Sequence, residues 1–206
     1  MFDLKLMEEP DYCVEMKDSF NIIGEQVSYL METINDFRSF LSPSTVPQET
    51  SLNQIIDKSL KIINKSLEID GIKVIKNYNF NKIIRTFPNE IIQVLINIFR
   101  NSMDTYKSNE IKDPVITING KETESFMEFE IIDNAGGIKP SIIDRIFEQY
   151  ATTKSEKTAS GLGLYMSKII IDKHCQGKLT ASNKNQGACF TIKLPLTIKL
   201  DKETSK

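Results

Sequence analysis

Apolar residues recur along this chain in rhythms that change with position. From Cys13 to Leu41 they alternate spacings of three and four, at Cys13, Met16, Phe20, Ile23, Val27, Leu30, Ile34, Phe37 and Leu41. That is an a/d stripe over about four heptads, and it predicts a long helix whose seam buries in a coiled coil or helix bundle. The stripe stops at Ser42-Pro43-Ser44-Thr45-Val46-Pro47. Two prolines there end a helix and leave a short, stiff connection. We set a boundary at that point, with a helix and linker over 1–47 and a folded domain over 48–206.

Within the second part the period alternates between helical and extended. Residues 52–69 read as a helix with Ile55, Ile56, Leu60, Ile63 and Leu67 on one side, ended by Gly71. Residues 72–77 and 81–87 read as two strands turning at Asn77-Tyr78-Asn79. A helix is expected from Pro88 to about Tyr106, then a strand pair at 114–120 and 126–132. In the second of these, Met127, Phe129 and Ile131 alternate with Glu128 and Glu130. A short helix is expected over 140–149, with Pro140 at its start. Residues 151–160 are polar. A helix over 161–174 is stopped by Gly177, and strands at 178–183 and 188–194 complete the domain. Helices and hairpins mix without strict βαβ alternation, which predicts an α+β fold: helices layered on one face of a mixed, mostly antiparallel sheet.

Composition narrows the class. The 206 residues are 40% hydrophobic and 26% charged, with a net charge of −2. Those values fit a globular chain with no overall attraction to nucleic acid or anionic membrane. No apolar run approaches the roughly 20 residues that span a bilayer, and the N-terminal residues lack a signal-peptide core. Cys13, Cys175 and Cys189 are widely spaced and match no ligand pattern, as expected in a reducing cytoplasm.

Four stretches carry candidate chemistry. On the helix from Pro88, Glu90, Gln93, Asn97, Arg100, Asn101 and Asp104 form one polar stripe. Such a stripe is either the wet side of an amphipathic helix or a ligand face, because an amide oxygen is a good hard ligand for Mg2+ when phosphates complete its shell. Asp133-Asn134-Ala135-Gly136-Gly137 follows a strand directly. It is either an ordinary turn or a carboxylate placed to accept a hydrogen bond from the adenine amino group, beside glycines that let the backbone approach a flat base. Ala135 suits the second reading only where its φ stays negative. Arg145 to Ser155 includes Ile146 and Phe147, both expected in the core, and Thr153 and Lys154; the lysine is either solvated or a mobile charge for a phosphate. Ser160-Gly161-Leu162-Gly163-Leu164 opens a helix, a weak phosphate-binding signal by itself. His174, the chain's one histidine, ends that helix and has no partner at metal spacing.

In this order and spacing the stretches resemble the N box, first glycine box, F box and second glycine box of sensor histidine kinases, within the gyrase, heat-shock chaperone, histidine kinase and MutL superfamily. Ala135 and Ala159 stand where those glycine boxes usually begin with glycine. The resemblance implies a two-layer α/β sandwich of the Bergerat type behind a long N-terminal helix. It implies ATP and Mg2+ as cofactors, with Asn101 as the metal ligand and Asn97, Asn101 and Lys154 as catalytic residues. Nucleotide contacts would come from Asn97, Asn101, Asp104, Asp133, Ala135, Gly137, Thr153, Lys154, Ser160, Gly161, Leu162 and Gly163, under a lid at 138–160. Asn97 stands where the hydrolysing branches typically carry a glutamate, and an amide cannot act as general base.

Residues 1–47 resemble the second helix of a dimerisation and phosphotransfer hairpin, followed by its linker. The implied protein is a cytoplasmic histidine kinase, or the cytoplasmic part of a longer membrane-bound sensor. It would form a homodimer through that helix and phosphorylate a histidine on a first helix that this sequence lacks, for relay to a response regulator. Two other readings remain: an anti-sigma-type serine kinase, and a dimerisation or scaffold module whose nucleotide site has decayed.

Overall fold

Five strands form the main sheet and seven are present among the described residues. The computed structural model describes residues 46–151 and 161–198, together with the helical positions Met16, Ser19, Phe20, Ile23, Gly24 and Val27. The elements are β1 (Gln48–Ser51), α1 (Leu52–Ile69), β2 (Lys73–Asn77), β3 (Ile83–Thr86), α2 (Pro88–Ser108), β4 (Val115–Glu122), β5 (Phe126–Ile132), α3 (Gly163–Ile169), β6 (Lys178–Lys184) and β7 (Gly187–Pro195). The main sheet has the order β2-β4-β5-β7-β6. Only β2–β4 is parallel; the other three pairs are antiparallel.

Alternation assigns the two faces of this sheet. Ile116, Ile118, Met127, Phe129, Ile131, Leu179, Ile192 and Leu194 are at most 1% exposed and join the helices in one core. Between them, Thr117, Asn119, Glu128, Glu130, Thr191 and Lys193 lie on the opposite face, where Glu128 pairs with Lys121 at 2.7 Å. The period of two thus separates a dry face from a wet one, as expected for a sheet covered on one side. α1 spans the expected residues and buries Leu52, Ile55, Ile56, Leu60, Ile63 and Leu67. Each such side chain contributes about 1.5–3 kcal/mol by leaving water.

Three expectations need correction. β2 and β3 are both strands, but they belong to different sheets: β3 pairs antiparallel with β1, and Arg85 N donates to Leu196 O at 2.8 Å. Phe80 explains the detour. Asn53 holds both its backbone groups, and its ring fills the space above Gly120, where a Cβ would stand 2.3 Å from Phe80 Cζ. The chain between the strands is therefore drawn into the core instead of making a hairpin.

The helix expected over 140–149 is only a 3-10 turn at Ile143–Arg145. Its bonds run mostly over three residues, as from Arg145 N to Ile142 O and Glu148 N to Arg145 O. The helix expected over 161–174 is seven α-helical residues followed by a π turn at Ile170–His174, with Cys175 N donating to Ile170 O at 2.9 Å.

Of the N-terminal seam, Met16, Phe20, Ile23 and Val27 fall on described residues. All four are helical and 50–66% exposed. Cys13, Leu30, Ile34, Phe37 and Leu41 lie outside the described residues.

Candidate functional site

Asp133 sits at the end of β5 and is 5% exposed. Its Oδ1 accepts the backbone N–H of Ala135 (3.0 Å) and of Ala188 (2.9 Å), while Oδ2 accepts the Ser102 hydroxyl (2.9 Å). Oδ2 therefore keeps a free lone pair, so the carboxylate can accept one more donor. β7 presses against its backbone: a Cβ on Gly187 would stand 1.5 Å from Asp133 O. No side chain fits there without moving the strand.

The turn after Asp133 is held from several sides. Positive φ falls on Gly136 (+98°) and Gly137 (+81°), not on Ala135, so alanine is tolerated at that position. Ala135 is 1% exposed. Asn183 grips the next residue with both ends of its amide, accepting Ile138 N at 2.7 Å and donating to Ile138 O at 2.8 Å. Asn109 donates to Ala135 O. Asn134 is turned to the loop before β4, where it accepts Val115 N and donates to Asp113 O. Tyr106 donates to Val115 O and accepts Asn134 N; burial, with the Asp133 charge adding to it, pushes this phenol above its ordinary range.

α2 connects this turn to the second half of the site. Ser102, the partner of Asp133, directly follows Asn101. One turn earlier, Asn97 donates from Nδ2 to Ser167 Oγ at 3.1 Å. Gly163 lies flat against the same amide, where a Cβ would stand 2.6 Å from Asn97 Nδ2. The polar stripe of α2 and the second glycine turn, far apart in sequence, thus meet. Leu162 caps α3 and is 9% exposed. Asp104 is exposed. Gly161, at φ +63°, packs on the backbone of Tyr150, which donates N–H to Gly161 O at 3.1 Å. Both edges of the segment 152–160 are therefore tied together. Thr153, Lys154 and Ser160 fall within that segment, outside the described residues.

Among the described residues no group of three or more His, Cys, Asp or Glu could hold a metal. Amide oxygens are the donors at hand. Neither the Asn101 side chain nor Asn97 Oδ1 has a hydrogen-bond partner among the described residues, so both are available to a hard cation that brings phosphate oxygens with it. The residues present therefore fit a magnesium nucleotide.

His174 belongs elsewhere. Its Nδ1 meets Glu90 Oε2 at 3.0 Å, and Glu90 is itself buried in the first turn of α2. Sequence reading did not find Glu90 as the partner of His174. It also missed Ser102, Ser167, Asn109 and Asn183. Ser102 and Ser167 lie on buried sides of their helices, where serine reads as filler, and Asn183 reaches its partner only through strand pairing.

Comparison with known proteins identifies the family and the fold. Residues 87–198 match the family model described as histidine kinase-, DNA gyrase B-, and HSP90-like ATPase. The two-component sensor PprA of Pseudomonas aeruginosa is 34% identical over 121 residues, 55% of this chain and 13% of PprA. The sensor histidine kinase ZraS of Escherichia coli is 26% identical over 181 residues, 86% of this chain and 37% of ZraS. The chain therefore spans well under half the length of these relatives. Among solved structures, the catalytic domain of histidine kinase ThkA superposes with a TM-score of 0.65 at 22% identity, over 74% of this chain and 99% of that domain. ThkA in complex with the response regulator TrrA superposes with a TM-score of 0.72 over 94% of this chain and 54% of ThkA, at 21% identity. At these identities the structural likeness speaks for the fold. Among the described residues no helix is long and apolar enough to cross a membrane.

Proposed function

Because this chain belongs to the histidine kinase-, DNA gyrase B-, and HSP90-like ATPase family, we propose that it is the ATP-binding catalytic domain of a protein histidine kinase. One observation carries the reading. Neighbouring residues on one helix serve both ends of a nucleotide: Asn101 presents an unbonded amide, and Ser102 holds the carboxylate of Asp133. Asp133 reads the adenine amino group through the free lone pair of Oδ2. Guanine, with a carbonyl at that position, is rejected. Asn101, with Asn97 beside it, would hold magnesium, and Gly161 to Gly163, with Ser160, Thr153 and Lys154, would attend the phosphates.

Bound magnesium would neutralise phosphate charge during an in-line transfer, a reaction in which the protein mainly positions and stabilises. The chain's own residues supply the rest. Asn97 cannot take a proton from water, so the site favours transfer to a side chain over hydrolysis. His174 lies on the ATP-binding domain itself, after the second glycine turn and beside Glu90, and the acceptor is read as a histidine outside this sequence. The exposed stripe Met16, Phe20, Ile23 and Val27 supports a homodimer built through the N-terminal helix. The ThkA–TrrA complex supports a response regulator as the onward partner.

The test is phosphate transfer from γ-labelled ATP. With a histidine-bearing dimerisation hairpin of the same kinase supplied in trans, acid-labile phosphate appears on the hairpin. The chain incubated alone acquires none. Acid-labile phosphate on this chain alone contradicts the reading, and acid-stable phosphate on a protein partner identifies a serine kinase instead.

A further inference from the structure

The orientation of the Asn97 amide is set by its surroundings. An asparagine side chain can present either its oxygen or its NH2 group in a given direction, and the hydrogen-bond partners decide which. Ser167 Oγ donates to Gly163 O at 2.9 Å, one turn back along α3. A hydroxyl has one proton, so the Ser167 oxygen can only accept from a second partner. The Asn97 group that meets it at 3.1 Å is therefore the NH2. Ser167 is 2% exposed, so water does not compete for the hydroxyl. Gly163 closes another side of the amide: a Cβ there would stand 2.6 Å from Nδ2, 2.7 Å from Oδ1 and 3.0 Å from Cγ. The amide is thus clamped, and Oδ1 is left without a partner among the described residues.

We propose that Ser167 is a positioning residue for the magnesium nucleotide: the chain Asn97 Nδ2 to Ser167 Oγ to Gly163 O commits Asn97 to presenting its oxygen to the cation. The proposal rests on reading the α2 stripe as the magnesium side of the nucleotide site. A flipped amide would present two N–H donors to a cation and lose the contact. Helix stability does not call for serine here. A helical serine bonding the carbonyl four residues back is neutral to slightly unfavourable, and alanine is the better helix former. Groups that orient a metal ligand from behind change metal affinity by about 10–100-fold when removed.

The test titrates a non-hydrolysable ATP analogue into the parent chain, Ser167→Ala, and the near-isosteric Ser167→Cys, each with and without Mg2+. The quantity compared is the factor by which Mg2+ tightens binding. It is expected to fall about tenfold in both variants, while metal-free affinity stays within about twofold. Ser167→Thr, which keeps the hydroxyl, restores the factor. An unchanged factor in Ser167→Ala overturns the proposal. Equal losses with and without Mg2+ overturn it too, because they mark a packing role.

A second measurement needs no ligand. In the parent chain the Asn97 side-chain NH2 exchanges slowly with water and shows a high order parameter by NMR, and Ser167→Ala removes both signs. If the parent binds no nucleotide, the reading of the site falls. The amide signals then decide the clamp alone, and an NH2 unaffected by Ser167→Ala removes it.

Discussion

The two ends of the candidate site are built differently. At the Asp133 end the carboxylate is held in place before any ligand arrives: it is buried, accepts three hydrogen bonds, keeps a single free acceptor position on Oδ2, and lies against Gly187 and Ala188. At the amide end, Asn101 carries no side-chain hydrogen bond among the described residues, and only one atom of the Asn97 amide is engaged. The first end is a template for one shape, fixed by the core behind it. The second is completed by what binds. This difference suits a site that must recognise a constant base strictly while phosphates and metal come and go.

The largest expected effect falls at the rigid end. Asp133→Asn keeps an oxygen for the backbone N–H groups of Ala135 and Ala188 and turns an NH2 toward Ser102, so the fold survives with a cost of about 1 kcal/mol. The same NH2 removes the free acceptor. Nucleotide affinity drops about a hundredfold, as for loss of a charged hydrogen bond in a dry site. Calorimetry and thermal melting on one preparation separate the two effects, and a parallel loss of both would mean that Asp133 is only structural.

At the open end, Asn101→Ala is expected to leave the melting temperature unchanged, since nothing described depends on that amide. Its Mg2+-dependent gain in nucleotide affinity shrinks about tenfold. A loss of stability without a change in metal dependence would remove the contrast between the ends.

The core behind both ends gives a pH test. Burial pushes the Cys175 thiol from 9.0 up to about 12 and, joined by the Asp57 charge, the Tyr78 phenol from 10.0 up to about 12. Both are neutral when folded and ionise more readily when unfolded. Their contribution is intact below about pH 9 and is lost as pH rises toward 12. Denaturant midpoints should therefore fall steadily above pH 9, and a flat profile to pH 11 would contradict the dry core. The smallest effect is at His174. His174→Gln is expected to cost about 1 kcal/mol through Glu90 and to leave nucleotide affinity unchanged, as checked by melting and titration.

Periodicity disclosed most of the fold because burial on one side imposes it. The alternation in β5 and β7 and the helical spacing in α1 and α2 were readable for that reason. β1, Gln48-Glu49-Thr50-Ser51, carries no apolar residue and gave no signal, so the partner of β3 was missed and β2 was joined to it. Phe80 falls between the expected turn and the expected strand at 81–87 and carries no signal of its own; the space above Gly120 shows what it fills. In the site, glycines and unusual helical asparagines marked where backbone and amides would gather. The supporting hydroxyls did not stand out, because Ser102 and Ser167 act through partners 31 and 70 residues away.

The central claim is that Asp133 and the α2 amides make an adenine-reading magnesium nucleotide site. It is tested most directly by titrating the magnesium complexes of non-hydrolysable ATP and GTP analogues into the unmodified chain. The account predicts saturable binding of the ATP analogue and affinity for the GTP analogue weaker by about a hundredfold or more. Equal affinities, or no binding of either, would contradict it.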